Sequence, residues 1–106
     1  MILTQCPHCL ADEMDVESDL ESLLADIVRE LFRARTKFPG KNVTLAALME
    51  EVGKLAKATA YEPRANVRAE AVQVAVMAMR MVLDGDHTFD EWRADRGLDA
   101  LVEQMA

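Results

Sequence analysis

The chain has 106 residues, a size that fits one globular domain and excludes several. Aromatic residues make up only 5%, and the small numbers of glycine and proline favour helices over a β-sandwich. The net charge of -7 disfavours binding to the phosphate backbone of nucleic acids. The longest apolar run, residues 71–83, is too short to span a bilayer, and the first residues lack the features of a secretory signal. These observations predict an all-α cytoplasmic protein that binds neither nucleic acid nor membranes.

Residues 1–17 are predicted to form an N-terminal tail, and residues 18–106 a helical domain. Acidic residues dominate residues 11–30, a pattern typical of a solvated helix face. The tail carries Cys6 and Cys9, whose spacing suits a zinc ion if His8 and a further ligand complete a four-ligand site. The same spacing suits a free dithiol, so both interpretations stay open.

Three long helices are predicted in chain order. The first spans residues 18–37: Ser18 and Glu21 match a capping box, and apolar residues recur at helical spacing until Pro39-Gly40. The second spans residues 44–60, with Thr44 as its N-cap. The third spans residues 63–83 and is apolar nearly all round, which predicts a position at the centre of the core.

A second capping-box pattern at residues 88–91 predicts a short C-terminal helix or hairpin. Three main helices and one short helix in a chain of this size bury little surface as a monomer. We therefore expect a helical bundle that is completed by oligomerisation into a dimer or tetramer.

Polar residues that could carry chemistry lie on the second and third predicted helices. Glu51 is at the edge of the apolar stripe of its helix, so its carboxylate should point toward a neighbouring helix. The third helix carries a polar stripe on an otherwise apolar surface, which consists of Asn66, Glu70, Gln73 and Arg80. Carboxylates between helices can hold Mg²⁺, whereas the plainer interpretation is a structural network with an exposed Glu50–Lys54 ion pair.

The segment LMEEVGKLAKA at residues 48–58, followed by EAVQ at residues 70–73, resembles the signature of the MazG-like all-α nucleoside triphosphate pyrophosphatases. That family has Glu-Glu-x-x-Glu on one helix and Glu-x-x-Asp on the next. The segments KFPG at residues 37–40 and GDHTFDEW at residues 85–92 also resemble small phage or prophage members. The similarity extends over roughly residues 18–100.

The resemblance implies hydrolysis of a nucleoside triphosphate, ribo- or deoxyribo-, to the monophosphate and pyrophosphate, with Mg²⁺ or Mn²⁺ as cofactor. Carried over by position, Glu51 and Glu70 match metal ligands of the family. Glu50 matches a carboxylate that supports a further metal or orients the attacking water. Gln73 stands at a ligand position, and we assign substrate contacts to Lys54, Asn66 and Arg80.

Two positions depart from the family pattern. Lys54 replaces a glutamate and Gln73 replaces an aspartate, which makes the site less negative and should weaken the binding of a divalent cation. Two interpretations follow. The protein is a divergent pyrophosphatase, or it is a degenerate module of the same fold that binds nucleotides or proteins without catalysis.

Overall fold

The computed structural model describes the backbone of residues 7–99 and the side chains of residues 18–99. Its elements are α1 (Pro7–Lys37), α2 (Thr44–Tyr61), α3 (Arg64–Leu83), a 3-10 helix (His87–Phe89) and α4 (Asp90–Asp95). This part of the chain contains no strand, only an isolated bridge between Asn42 and Asp86. The prediction of an all-α fold is confirmed. None of the helices between residues 7 and 99 is long and apolar enough to cross a membrane.

Helix α1 begins at Pro7, well before the predicted start at residue 18. The capping-box prediction at Ser18 and Glu21 is therefore wrong, because both residues lie inside the helix. Proline is favoured in the first turn of a helix, and residues 8–21 contain no glycine or proline to interrupt it. The other end matches the prediction: α1 stops at Lys37, just before Pro39 and the positive-φ Gly40.

Helix α3 packs against both other long helices, which confirms its predicted central position. Polar contacts show that α1 runs parallel to α3: Asp26 accepts from Arg68 at 2.7 Å, and Asp84 accepts from Arg35 at 2.7 Å. Helix α2 is joined to α3 by residues 62–63 and forms an antiparallel hairpin with it. The part of α1 before about residue 22 extends beyond this hairpin, because Asp26 already lies level with the first turns of α3.

The apolar core is small. Leu31 packs with Val72 and Val76 between α1 and α3, flanked by Leu23, Ile27 and Ala34. Among the described residues, large apolar side chains such as Phe32, Tyr61 and Val82 are exposed. Much apolar surface therefore stays in contact with solvent in the single chain.

Arg80 is buried, with 3% of its surface exposed, and it ties α3 to the end of α1. Its guanidinium donates to the carbonyl oxygens of Phe38 and Gly40 in the loop after α1, and to the Asp84 carboxylate at 2.9 Å. Burial alone would raise the pKa of Asp84, but hydrogen bonds from Arg80 and Arg35 lower it below its usual value. Helix α3 ends at Leu83, and the positive φ of Gly85, two residues later, matches the predicted stop.

Asp86 connects the start of α2 to the segment after α3 through hydrogen bonds. Its carboxylate accepts from the Leu45 amide at 2.7 Å and from the Thr88 amide at 2.8 Å. The prediction of Thr44 as N-cap is wrong, because its hydroxyl donates to the Gly85 carbonyl at 2.7 Å. The cap of α2 comes instead from Asp86, which follows α3 in the chain and lies beside the start of α2. The predicted capping box at residues 88–91 is also wrong, since the Thr88 side chain bonds Asp86, although a short helix does follow.

We predict that Asp86→Asn lowers the free energy of unfolding by about 1–2 kcal/mol, because both carboxylate oxygens accept from backbone amides and the substituted side chain keeps only one acceptor. Hydrogen bonds from Thr88, and further ones from Leu45, hold the pKa of Asp86 below its usual value. The carboxylate of Asp86 therefore stabilises the fold fully at pH values above the pKa that it has in the unfolded chain. This contribution is lost as the pH falls through the lowered pKa of the folded protein. Urea unfolding of both proteins at neutral and acid pH measures the effect.

The control is Asp90→Asn, because Asp90 is an exposed carboxylate of the same segment with one ion pair to Lys41 at 2.8 Å. An exposed pair of this kind contributes at most about 1 kcal/mol. An equal decrease in the free energy of unfolding in the two variants would show that the contacts of Asp86 do not stabilise the start of α2.

Candidate functional site

The acidic pair on α2 is split between solvent and the helix interface. Consecutive residues point about 100° apart on a helix, so Glu50 and Glu51 cannot share an environment. The Glu51 side chain is 18% exposed and that of Glu50 is 68% exposed. Glu51 is therefore the more buried of the two, as expected for a position at the edge of the apolar stripe of α2.

Lys54 spans both carboxylates. Its Nζ lies 3.4 Å from Oε1 of Glu50 and 3.4 Å from Oε1 of Glu51. The hydrogen bond to Glu50, together with the charge of Glu51, raises the pKa of Lys54 above its usual value. The ammonium therefore stays charged and neutralises part of the pair from which a metal ion would draw its ligands.

Glu70 carries an unsatisfied buried atom. Its Oε2 is enclosed and has no hydrogen-bond partner, the single such side-chain atom among the described residues. Glu70 lies in the first half of α3, the helix that packs against α2. A buried carboxylate oxygen without a partner costs free energy, so this position is strained unless a cation or donor joins it.

Gln73 contacts a residue that the sequence analysis did not place in the site. Its Nε2 donates to Oε1 of Glu30 on α1 at 3.1 Å. A hydrogen bond from Arg33, and a second from Gln73, lower the pKa of Glu30 despite its partial burial. Glu30 was grouped with the solvated acidic run, but it lies three residues after Ile27, on the side of α1 that packs on α3. That spacing was the signal that could have identified it.

The two remaining candidates on α3 lie apart from this group. Asn66 is exposed and donates to Oε1 of Glu62 at 3.1 Å. Arg80 is ten residues, about 15 Å, beyond Glu70 along the helix, and its guanidinium bonds are made to the end of α1. The predicted polar stripe thus divides among four different environments, and Arg80 does not belong to the site we propose.

The fit of these residues to a divalent cation is partial. No three side chains of His, Cys, Asp or Glu between residues 18 and 99 converge as a ready-made metal site. Hard cations take carboxylate and amide oxygens, and the unpartnered Oε2 of Glu70 is a donor of that kind next to α2. Glu51 and Glu70 thus have the ligand chemistry of such an ion, and Gln73 has a neutral oxygen of the same kind. The zinc prediction for Cys6, His8 and Cys9 lies outside the described side chains.

An open groove of about 800 Å³ lies at the other end of the hairpin, around α4. Its lining includes Lys41, Leu45, Asp86 and Trp92, and none of the carboxylates Glu50, Glu51 and Glu70. One face of the Trp92 ring is covered by the Arg96 guanidinium, 3.5 Å from the ring centre. The groove is thus separate from the acidic residues of α2 and α3.

Comparison with known proteins adds no assignment. No protein-family model, curated protein or solved structure matches the chain. The resemblance based on residues 48–58 and 70–73 stays a prediction, and the functional inference depends on the geometry of the described residues.

We predict that Glu70→Gln raises the melting temperature of the metal-free protein by a few degrees, because a neutral amide is less costly to bury than a carboxylate. Saturating Mg²⁺ or Mn²⁺ should raise the melting temperature of the original protein and leave that of Glu70→Gln unchanged. Glu91→Gln, a substitution of an exposed acid on α4, is the control and should behave like the original protein. A metal-induced shift that survives Glu70→Gln would remove Glu70 from the ligand set.

Proposed function

We propose that the protein is a nucleoside triphosphate pyrophosphohydrolase that converts a ribo- or deoxyribonucleoside triphosphate to the monophosphate and pyrophosphate. The observation that carries this proposal is the buried, unpartnered Oε2 of Glu70 on α3, the helix that packs against α2 with its partly buried Glu51. A fold keeps an unpaired buried carboxylate at a cost in stability, and such groups concentrate at functional sites.

Glu51 and Glu70 would hold Mg²⁺ or Mn²⁺, which when bound neutralises the polyphosphate and activates a water molecule beside it. Glu50 is exposed next to Glu51, so it can accept a proton from an attacking water or support a second ion. Gln73 is held by Glu30 at 3.1 Å, which fixes its amide between α1 and the hairpin. Lys54 can turn from the carboxylates to a phosphate oxygen because half of its side chain is exposed.

A second candidate function is favoured by the contacts of Lys54. The ammonium bridges Glu50 and Glu51 at 3.4 Å each, so the site is partly neutralised without any metal. In this alternative the protein is a degenerate module that binds nucleotides or proteins without hydrolysis. The two functions differ in one observable, which is the release of pyrophosphate.

The first test is pyrophosphate release from a panel of ribo- and deoxyribonucleoside triphosphates with Mg²⁺ or Mn²⁺. We expect release with the original protein and a loss of about 100-fold or more with Glu51→Ala, because a ligand of the activating ion is removed. Glu91→Ala is the matched control and should retain the rate. If no pyrophosphate is released while triphosphate binding is still measurable by calorimetry, the proposed hydrolase activity is contradicted and the binding module is favoured.

A second test restores the family residue at position 54. Lys54→Glu should tighten Mg²⁺ binding by about tenfold or more and raise turnover, since it replaces a positive charge beside two carboxylates with a third carboxylate. Lys57→Glu is the control, because Lys57 lies on the same helix but faces Glu62 at 3.9 Å. Unchanged kinetics in Lys54→Glu would place Lys54 outside the surroundings of the metal.

The proposed enzyme acts as a homo-oligomer. This part of the proposal is supported by the small core and by the large apolar area that the single chain exposes. Obligate oligomers bury such surface between copies.

A further inference from the structure

The side chain of Gln73 connects α3 to α1 through one carboxylate. Its Nε2 donates to Oε1 of Glu30 at 3.1 Å, although the two residues are 43 positions apart in the chain. Both groups are partly buried: the Glu30 side chain is 19% exposed, and Gln73 follows the buried Val72 in the middle of α3. A hydrogen bond to an ionised acceptor is stronger than one between neutral groups. This contact therefore holds the Gln73 amide firmly.

The chemistry of Glu30 decides which end of the amide faces α1. An ionised carboxylate only accepts hydrogen bonds, whereas a primary amide donates through its nitrogen and accepts through its oxygen. Only Nε2 of Gln73 can therefore face Glu30, and Oε1 points away from it. Within the described part of the chain, no donor bonds this Oε1, and it is not an enclosed atom. The amide oxygen is thus available to a cation or a water molecule.

Arg33 fixes the Glu30 carboxylate from the solvent side of α1. Its Nε lies 3.1 Å from Oε1 and 3.0 Å from Oε2, and its Nη2 also bonds Oε1. A guanidinium that bonds both oxygens of a carboxylate restricts the rotation of that carboxylate. The contacts of Arg33, Glu30 and Gln73 therefore transmit a fixed orientation from the surface of α1 to α3.

The same contact explains why a carboxylate does not suit position 73. A carboxylate there would lie beside the ionised Glu30 and could not donate a hydrogen bond to it. Like charges at such a distance repel each other, and one of the two groups must then be neutralised. Glu30 thus favours a neutral side chain that donates a hydrogen bond at position 73.

Glu70 lies three residues before Gln73, so the two are neighbours on the surface of α3. Oε2 of Glu70 is buried without a partner, and Oε1 of Gln73 has no donor among the described residues. We propose that Glu30 is a positioning residue: by binding the nitrogen of Gln73, it leaves the amide oxygen as the group that Gln73 offers, together with Glu70, to a divalent cation. This inference rests on the proposed function, because the cation is the one that the proposed hydrolase requires.

The first experiment measures Mn²⁺ binding to the full chain without nucleotide, from the electron paramagnetic resonance signal of the free ion. Glu30→Gln keeps the size of the side chain but lets position 30 donate as well as accept, so the Gln73 amide is no longer held in one orientation. We expect this variant to bind Mn²⁺ about tenfold more weakly, as is typical when a residue that orients a metal ligand is changed.

The matched control is Asp26→Asn. Asp26 lies one turn earlier on α1 and accepts from Arg68 of α3 at 2.7 Å, so its substitution removes the same charge from the same pair of helices. It should change the affinity for Mn²⁺ by no more than about twofold, because Asp26 bonds no candidate ligand. The comparison separates the orientation of Gln73 from the general effect of a lost negative charge.

The second experiment exchanges the two side chains. Gln73→Glu alone sets two carboxylates side by side and should lower the melting temperature by about 5 °C. The double variant Glu30→Gln/Gln73→Glu again sets a donor against an acceptor and should regain most of this loss. It also moves the negative charge from α1 to position 73 on α3, so we expect it to bind Mn²⁺ at least as tightly as the original protein does.

Circular dichroism shows whether each variant is folded. Equal Mn²⁺ affinities of Glu30→Gln and Asp26→Asn would overturn the positioning role, since a purely structural contact predicts that result. A double variant that melts no higher than Gln73→Glu would show that the two side chains do not interact, and an original protein that binds no Mn²⁺ would also overturn the role. If the affinities differ as expected but no pyrophosphate is released, only the proposed activity is contradicted.

Discussion

A buried guanidinium holds the helices of this protein together at one end. Arg80 bonds the loop after α1 and the Asp84 carboxylate, while Asp86, two residues further, caps the start of α2. A buried charge needs its partners, because removing one leaves an uncompensated ion in a medium of low dielectric. The positions of both α1 and α2 relative to α3 therefore depend on a polar cluster within a few residues of the end of α3.

This arrangement explains why so few apolar residues are buried. The apolar contacts between α1 and α3 are limited to a short zone around Leu31, Val72 and Val76, because α1 continues past the start of the hairpin. Polar ties at one end and a short core leave the exposed side of α1 free to pack against another helix. The same feature leaves Leu24, Val28 and Phe32 of α1 exposed in the single chain.

The candidate site lies along the hairpin, away from the polar cluster. Glu51 is partly buried on α2, Glu70 has a buried oxygen on α3, and Gln73 connects α3 to Glu30 on α1. The residues considered for the site thus lie on all three long helices. Lys54 compensates part of the negative charge, whereas Glu70 has one oxygen with no compensation. This imbalance distinguishes the region from an ordinary network of surface ion pairs.

Local periodicity in the sequence determined the long helices, the central place of α3 and the inward direction of Glu51, because these follow from spacings of three and four residues. The stops at Pro39-Gly40 and Gly85 were equally local. Helix caps were not determined by local sequence. Thr44 and Ser18 match capping patterns, but Asp86, which follows α3, caps α2, and α1 begins at Pro7. The partners of Arg80 and Gln73 were also decided by the tertiary structure, since both bond to residues more than 40 positions away. A sequence specifies what a side chain can bond, but only the packing of helices decides which distant group it meets.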